Sequence, residues 1–248
     1  MTIENSNKTA GISAGMLKII AVVTMLIDHV AAAVLVRYYY ATGNGGILPV
    51  YYLMRQIGRI AFPIYCFMLV EGLWRTRSRC KYFARMAGLA LLSEIPFDLA
   101  FSSQVLELGY QNVFFTLSIA LLTMIGLEWI REKVTNPALS ILLTGLMAVG
   151  GPLLAYFLRT DYDWRGVACI LLMYFWRSRP VTKLIVAYVA FVILLGEWAA
   201  LPAFVLLGFY RGRKGFSNKF FFYGFYPVHL LVIYVICVLM GIAMYSAV

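Results

Sequence analysis

MLKIIAVVTMLIDHVAAAVLVRY, running from Met16 to Tyr38, decides the fold. Between Lys18 and Arg37 it is apolar apart from Thr24, Asp28 and His29. Its length matches the roughly 20 residues that an α-helix needs to cross a bilayer. Similar runs recur up to the C-terminus, and they lack the in-out alternation and turn spacing of a transmembrane barrel. The whole chain of 248 residues is 62% hydrophobic and 13% charged, where a soluble domain is about a quarter charged. The expectation is therefore an all-α integral membrane protein, a polytopic helical bundle.

Nine spans are expected, over 16–38, 56–74, 82–101, 112–130, 138–158, 164–176, 181–196, 197–210 and 221–246. The connection from Arg75 to Arg85 carries Arg75, Arg77, Arg79, Lys81 and Arg85 and no acid, which sets it in the cytoplasm by the positive-inside rule. Alternation then makes the basic groups Lys8/Lys18, Arg131/Lys133, Arg177/Arg179/Lys183 and Arg211/Arg213/Lys214/Lys219 cytoplasmic. Glu107, the balanced set Arg159/Asp161/Asp163/Arg165 and Glu197 become external, with Arg37 and Arg55 as the mild exception. The N-terminus is expected inside and the C-terminus outside. The excess of 21 Lys and Arg over 11 Asp and Glu is then mostly topology, and no nucleic acid is implied.

The polar segment 1–15 is read as cytoplasmic and uncleaved, because no small-residue cleavage site follows the first apolar run. The four cysteines form no CxxC pair and are read as packing residues. No linker, low-complexity tract or internal repeat divides residues 1–248, so a single domain is expected.

Counting about 1.5 Å per residue places His29 roughly 17 Å above Lys18 and His229 roughly 15 Å above Lys219. The two histidines of the chain thus reach the same depth, near the middle of a roughly 30 Å core. Pro227 beside His229 removes a backbone donor and permits a kink. Asp28, Glu71, Glu94, Asp98 and Arg59 also fall within spans, and ionisable groups there cost at least about 2.5 kcal/mol each, which points to a hydrated functional cavity. Arg59 and Asp98 both lie roughly 24 Å from the basic ends of their helices, so depth allows a structural Arg59–Asp98 pair. Glu94 lies near the depth of His29 and is expected to orient it or share its proton. Asp28 is a poor partner for His29, since neighbouring helical side chains point about 100° apart.

A neutral imidazole at midplane can take a proton from an attacking amine or hydroxyl, which makes acyl transfer the natural chemistry. No GxSxG, HExxH or GxxxxGK[ST] motif appears, so serine hydrolase, zinc protease and NTPase readings have no support and no metal is expected. WRTRSRCKY (Trp74–Tyr82) and YRGRKGFSNK (Tyr210–Lys219) each combine cations with aromatics. Arg75, Arg77, Arg79, Lys81, Arg211, Arg213, Lys214 and Lys219 are therefore candidates for holding a phosphorylated carrier such as coenzyme A. Membrane topology and anionic lipid headgroups explain the same charge.

The stretches MLKIIAVVTMLIDHVA, GRIAFPIYCFMLVEGLWRT, KYFARMAGLALLSEIPFDLAF, QNVFFTLSIALL, DYDWRGVACILLMYF and FFYGFYPVHLL, in this order, resemble the TraX family of bacterial membrane proteins. That family is named after a conjugative protein responsible for N-acetylating pilin. It is distantly similar to multi-pass acyltransferases such as heparan-glucosaminide acetyltransferase. The resemblance implies a bacterial inner-membrane enzyme that carries acetyl from cytosolic acetyl-CoA, with His29 as catalytic histidine and Asp28 as its close support. Arg55, Arg59, Glu71, Glu94, Asp98, Asn112, Asp163 and His229 fall on polar positions of the matching motifs.

The expected mechanism uses His29 as general base or transient acetyl carrier. Glu94 or His229 assists, and Asn112 positions the acceptor or an oxyanion. The acceptor is left open between a pilin-like N-terminus, a peptide and a glycan. The alternative is a proton-coupled transporter or a flippase for a lipid-linked substrate, using the same ionisable groups.

Overall fold

The fold comes from a computed structural model, which describes residues 11–245. Every regular segment among them is helical. The chain runs α1 (Ala14–His29), a π-helical turn (Val30–Leu35), α2 (Val36–Thr42), α3 (Leu48–Gly58), α4 (Ala61–Arg75), α5 (Arg79–Ser102), α6 (Val113–Lys133), α7 (Pro137–Phe157), α8 (Asp163–Phe175), α9 (Pro180–Leu195), α10 (Leu201–Gly208) and α11 (Lys219–Leu239).

The helix starts follow local chemistry. Ser13, Ser78, Asn112, Asn136 and Asn218 each accept a backbone N–H of the first turn through their side chains, and proline opens α7, α9 and α10. Gly43 and Gly196 close α2 and α9 at φ 68° and 70°, in the left-handed region that a Cβ disfavours.

Five helical stretches are long and apolar enough to cross a membrane: Ala14–Thr42, Gly45–Arg75, Val113–Lys133, Pro137–Phe157 and Phe220–Leu239. The first and third through seventh expected spans coincide with helices to within a few residues. The second begins earlier than expected, because α3 occupies what was read as the first external loop and is offset from α4 by a short break at Arg59 and Ile60. The eighth, 197–210, is a turn of 3-10 helix followed by an α10 of only 8 residues, and it leads from Glu197 at one layer of helix ends to Gly212 at the other. The ninth ends at Leu239 rather than 246. The segment 1–10, with Lys8, lies outside the described residues.

Helices pack through two cores. The larger joins α1, α4, α6, α8, α9 and α10 around Ile64, Met124, Ile170 and Phe191. The smaller joins the end of α1 and the π turn to α5 and α11 around Ala33, Phe97, Tyr226 and Ile233. Tyr65, Val113 and Phe114 touch both. Outside these cores, α7 turns large aliphatic side chains outward, with Ile141 75% and Leu146 60% exposed, as helices facing hydrocarbon do.

The helix ends gather into two layers. One is basic: Gly15 N donates to Lys214 O (2.9 Å), Arg75 Nη1 to Gly212 O (2.8 Å), and Arg79 pairs with Glu132 (2.9 Å). At the other, Gln111 N donates to Arg159 O (3.0 Å) and Arg59 reaches Glu197 (2.8 Å). At this second end Arg37, fully buried, ties three segments together. It donates to Ala100 O (2.5 Å), Ser103 Oγ (2.9 Å) and Tyr245 O (2.6 Å).

Candidate functional site

The helix break at Arg59–Ile60 and the switch from α to π geometry after His29 leave a gap where the two cores meet. The gap is a cavity of about 390 Å³. α1 contributes Asp28 and His29 to its wall, the α3–α4 region Arg55, Arg59, Phe62 and Tyr65, and α5 Phe97 and Phe101. Connecting segments and the start of α8 add Tyr110, Asp161, Tyr162, Asp163, Arg165 and Glu197. Single-turn π segments inside α-helices occur often at functional sites, because they re-aim the flanking side chains.

The two histidines, 200 residues apart in sequence, meet: His29 Nδ1 lies 2.8 Å from His229 Nε2. Their rings are nearly parallel, at 8°, and Phe101 and Tyr226 pack edge-on against His29. His229 Nδ1 is 2.8 Å from the carbonyl of Phe225. A carbonyl only accepts, so His229 carries its proton on Nδ1 and its Nε2 is the acceptor. The proton between the rings therefore sits on His29 Nδ1. In the neutral pair this leaves His29 Nε2 deprotonated, with no hydrogen-bond partner among the described residues. A carbonyl and one histidine thus hold a second histidine in its basic tautomer on a cavity wall. The chain of α11 runs helically through Pro227, and the Phe225 carbonyl is occupied by the His229 ring.

Asp28 turns away from His29 as helix geometry requires. Its Oδ2 receives Arg55 Nη1 at 2.6 Å. The close approach of α3 behind it depends on Gly58, since a Cβ there would lie 2.2 Å from Asp28 Oδ1. Arg59 pairs with Glu197 at 2.8 Å, replacing the expected Arg59–Asp98 pair. Asp98 instead accepts the backbone N–H of Glu107 at 2.8 Å. Depth allowed both partners, but the break before α4 turns Arg59 towards the turn at Glu197.

Glu94 does not reach His29. It accepts the backbone N–H of Asn112 at 3.3 Å and also its side-chain amide. Asn112 is fully buried, donates its amide to Ala90 O (2.8 Å) as well, and caps α6 through Oδ1 (3.0 Å). Both amide hydrogens are committed, so Asn112 has none for an acceptor or oxyanion, and the Glu94–Asn112 contact is a lock between α5 and α6.

Tyr110, Asp161, Tyr162 and Glu197 line the cavity without having been singled out as site residues. DYDWR and the lone Glu197 look in sequence like balanced external charge. The only hint is Glu197, an acid without a sequence-local cation. Tyr110 donates its hydroxyl to Asp161, and Tyr162 stacks on Phe62 at 3.5 Å between centroids. Asp161 lies in the connection between α7 and α8, where burial pushes its carboxyl up to about 6, against the lowering effect of the Tyr110 hydrogen bond.

The two basic segments, far apart in sequence, meet at the opposite end through Arg75 and Gly212. Arg75 also approaches Glu71 (3.5 Å), and Arg79 holds Glu132 (2.9 Å). Arg77, Lys81, Arg211, Arg213 and Lys214 are exposed. Lys219 opens α11, and its side chain lies outside the described residues. No cavity wall comes from this basic end.

No solved structure matches the chain. A relative, the "Probable fimbrial assembly protein FimC, serogroup H1" of Dichelobacter nodosus, is 28% identical over 252 residues, covering 89% of this chain and 94% of its own. The TraX protein family matches residues 13–237. Because that match runs from the cap of α1 into the last turn of α11, and so takes in His29, His229 and every cavity residue between them, the chain belongs to the TraX protein family.

Proposed function

We propose that this protein is a membrane-embedded acetyltransferase that moves acetyl from acetyl-CoA to an amine or hydroxyl acceptor. The observation that carries this reading is the Phe225 carbonyl–His229–His29 chain, which leaves His29 Nε2 as a free base on a cavity wall. Nε2 takes the proton of the attacking group, the nucleophile adds to the thioester carbonyl, the C–S bond breaks, and the departing sulfur receives the proton back from His29. His229 is a positioning residue. Family membership and the fimbrial-assembly name of the relative support a pilin-related acceptor.

The basic end is assigned to the cytoplasmic side of the bacterial inner membrane by the positive-inside rule, with the N-terminus inside and the C-terminus outside. The exposed Arg77, Lys81, Arg211, Arg213 and Lys214 there are suited to the phosphates of acetyl-CoA. His29 lies about 22 Å along α1 from Ala14, so helices must part for the thioester to reach it.

The test is purified protein in lipid with radiolabelled acetyl-CoA. CoA release and labelled product are expected, and both should fall about 10²- to 10⁴-fold in His29→Ala with the variant still folded by circular dichroism. Full turnover in purified His29→Ala, or no binding of acetyl-CoA at all, overturns the reading.

A further inference from the structure

One acid of the cavity has no cation of its own. The wall carries the carboxylates of Asp28, Asp161, Asp163 and Glu197 and the guanidinium groups of Arg55, Arg59 and Arg165. Asp28 faces Arg55 at 2.6 Å, Glu197 faces Arg59 at 2.8 Å, and Asp163 lies 3.8 Å from Arg165. Asp161 is left over. Its Oδ1 accepts the uncharged Tyr110 hydroxyl, and its backbone N–H donates to Gln111 O at 2.9 Å, which pins the 159–163 connection over the cavity.

The second oxygen of Asp161 also differs from those of its neighbours. Asp28 Oδ1 and Glu197 Oε2 are sealed inside the protein. Asp161 Oδ2 is not sealed, and it makes no hydrogen bond among the described residues. The residue is partly exposed, and it lies on the cavity wall. A carboxylate with open lone pairs and no counter-charge suits a cation that brings its own N–H donors. No group of three or more His, Cys, Asp or Glu able to hold a metal ion occurs among the described residues. A primary ammonium is the match, because it is compact and carries three donors. Arg55 and Arg59 stand nearby, but each faces its own carboxylate, so one negative charge remains for the ligand. Phe62, Tyr65 and Tyr162 offer aromatic surface to the carbon chain behind the ammonium.

Burial pushes the Asp161 carboxyl up to about 6. It is therefore ionised at neutral pH, yet it binds a proton more strongly than an ordinary carboxylate does. The groups acting on it are Tyr110 from the α5–α6 connection, Asp28 on α1, Arg55 on α3 and Arg59 at the α3–α4 break. Tyr162 and Glu197 also lie within its field.

We infer that Asp161 is the acceptor-binding residue: its open oxygen seats a primary ammonium and takes the first of the two protons that this group must lose to carry acetyl. The seat stands on the cavity alone; the proton step rests on the acetyl-transfer reading. An ammonium has no lone pair to attack with. One N–H proton passes to Asp161, which leaves a neutral carboxyl and a free amine. The amine nitrogen adds to the thioester carbonyl, its second proton passes to His29 Nε2, the C–S bond breaks, and the departing sulfur takes that proton from His29. Asp161 then returns the first proton to water.

The experiment uses the full chain in lipid nanodiscs, first without acetyl-CoA. Saturation-transfer NMR is recorded with a tripeptide amide bearing a free N-terminus, with the same peptide N-acetylated, and with an N-acetylated peptide carrying one lysine. At least one of the two peptides with an ammonium should bind tighter than about 10 mM, and the blocked twin about tenfold weaker or more. Tighter binding of the free N-terminus identifies a chain end as the acceptor, and tighter binding of the lysine peptide a side chain. Asp161→Asn should erase the preference for an ammonium, whereas Asp98→Asn, outside the cavity, should keep it. If the blocked peptide binds as well as the other two, a comparison that needs no variant, or if Asp161→Asn keeps the preference, the inference is wrong. The proton step is read from transfer rates against pH. Asp161→Asn should lose about tenfold or more near pH 6.5 and recover towards wild type above about pH 9, where an N-terminal amine, with its pKa of about 7.7–8.0, arrives without the extra proton. A loss of the same size at both pH values overturns the proton step. Ammonium preference without acetyl transfer by the wild type sinks the transferase reading and leaves the seat standing; transfer without that preference does the reverse.

Discussion

Removing the acceptor behind the His29 ring is the sharpest test of the histidine pair. In His229→Leu, the His29 Nδ1–H loses the partner now 2.8 Å away. A buried donor left unmet costs about 1–3 kcal/mol. The ring escapes that cost by moving its proton to Nε2, which removes the base from the cavity. To react, it must return to the unmet tautomer, so the same 1–3 kcal/mol is added to the barrier. At 1.36 kcal/mol per tenfold, the rate constant for transfer falls about 5- to 160-fold. His29→Ala should lose more, about 10²- to 10⁴-fold, because the base itself goes. His229→Gln supplies a carbonyl oxygen to accept the same proton and should stay within about fivefold of wild type. The assay is initial-rate acetyl transfer in proteoliposomes, with KM for acetyl-CoA followed separately, since positioning the base should leave it unchanged. Equal rates for His229→Leu and wild type, or for His229→Leu and His229→Gln, would falsify the relay.

Gly58→Ala places a Cβ 2.2 Å from Asp28 Oδ1, so α3 must shift; thermal unfolding in detergent should show a loss of about 1–3 kcal/mol. Arg37→Ala leaves the carbonyls of Ala100 and Tyr245 without their donor, and the same assay should register a loss of about 1–3 kcal/mol for each. Asp161 has its folded pKa raised to about 6 by burial, so its contribution to stability is full below the unfolded value and fades as pH rises through about 6; Asp161→Asn should flatten that part of the stability–pH curve. Charge reversal at Lys214 and Arg77 together should weaken acetyl-CoA binding at least tenfold with a shallower salt dependence, read by calorimetry.

The site was legible where helix arithmetic reaches and illegible where it stops. Counting rise along α1 and α11 set His29 and His229 level, and they touch. Rotation about α1 separated Asp28 from His29, and Asp28 indeed turns to Arg55. The same arithmetic offered Asp98 to Arg59 and Glu94 to His29, and neither pair forms, because depth fixes one coordinate of three. Which helices are neighbours, and how each is rotated, depends on side-chain fit between them. The break at Arg59–Ile60 and the folding of the 159–163 connection over the cavity carry no periodic signature either.

What the sequence by itself determined is the local part: apolar runs of spanning length, their caps, the asymmetry of basic connections and the family motifs. Each rests on interactions within a few residues or on transfer from water to lipid, which composition alone sets. The tertiary structure decided the rest: the tautomer of His29, the pairing of Arg59 with Glu197, and the cavity that gathers both. Those features depend on groups up to 200 residues apart in the chain, held within hydrogen-bonding distance only by the packing of two cores.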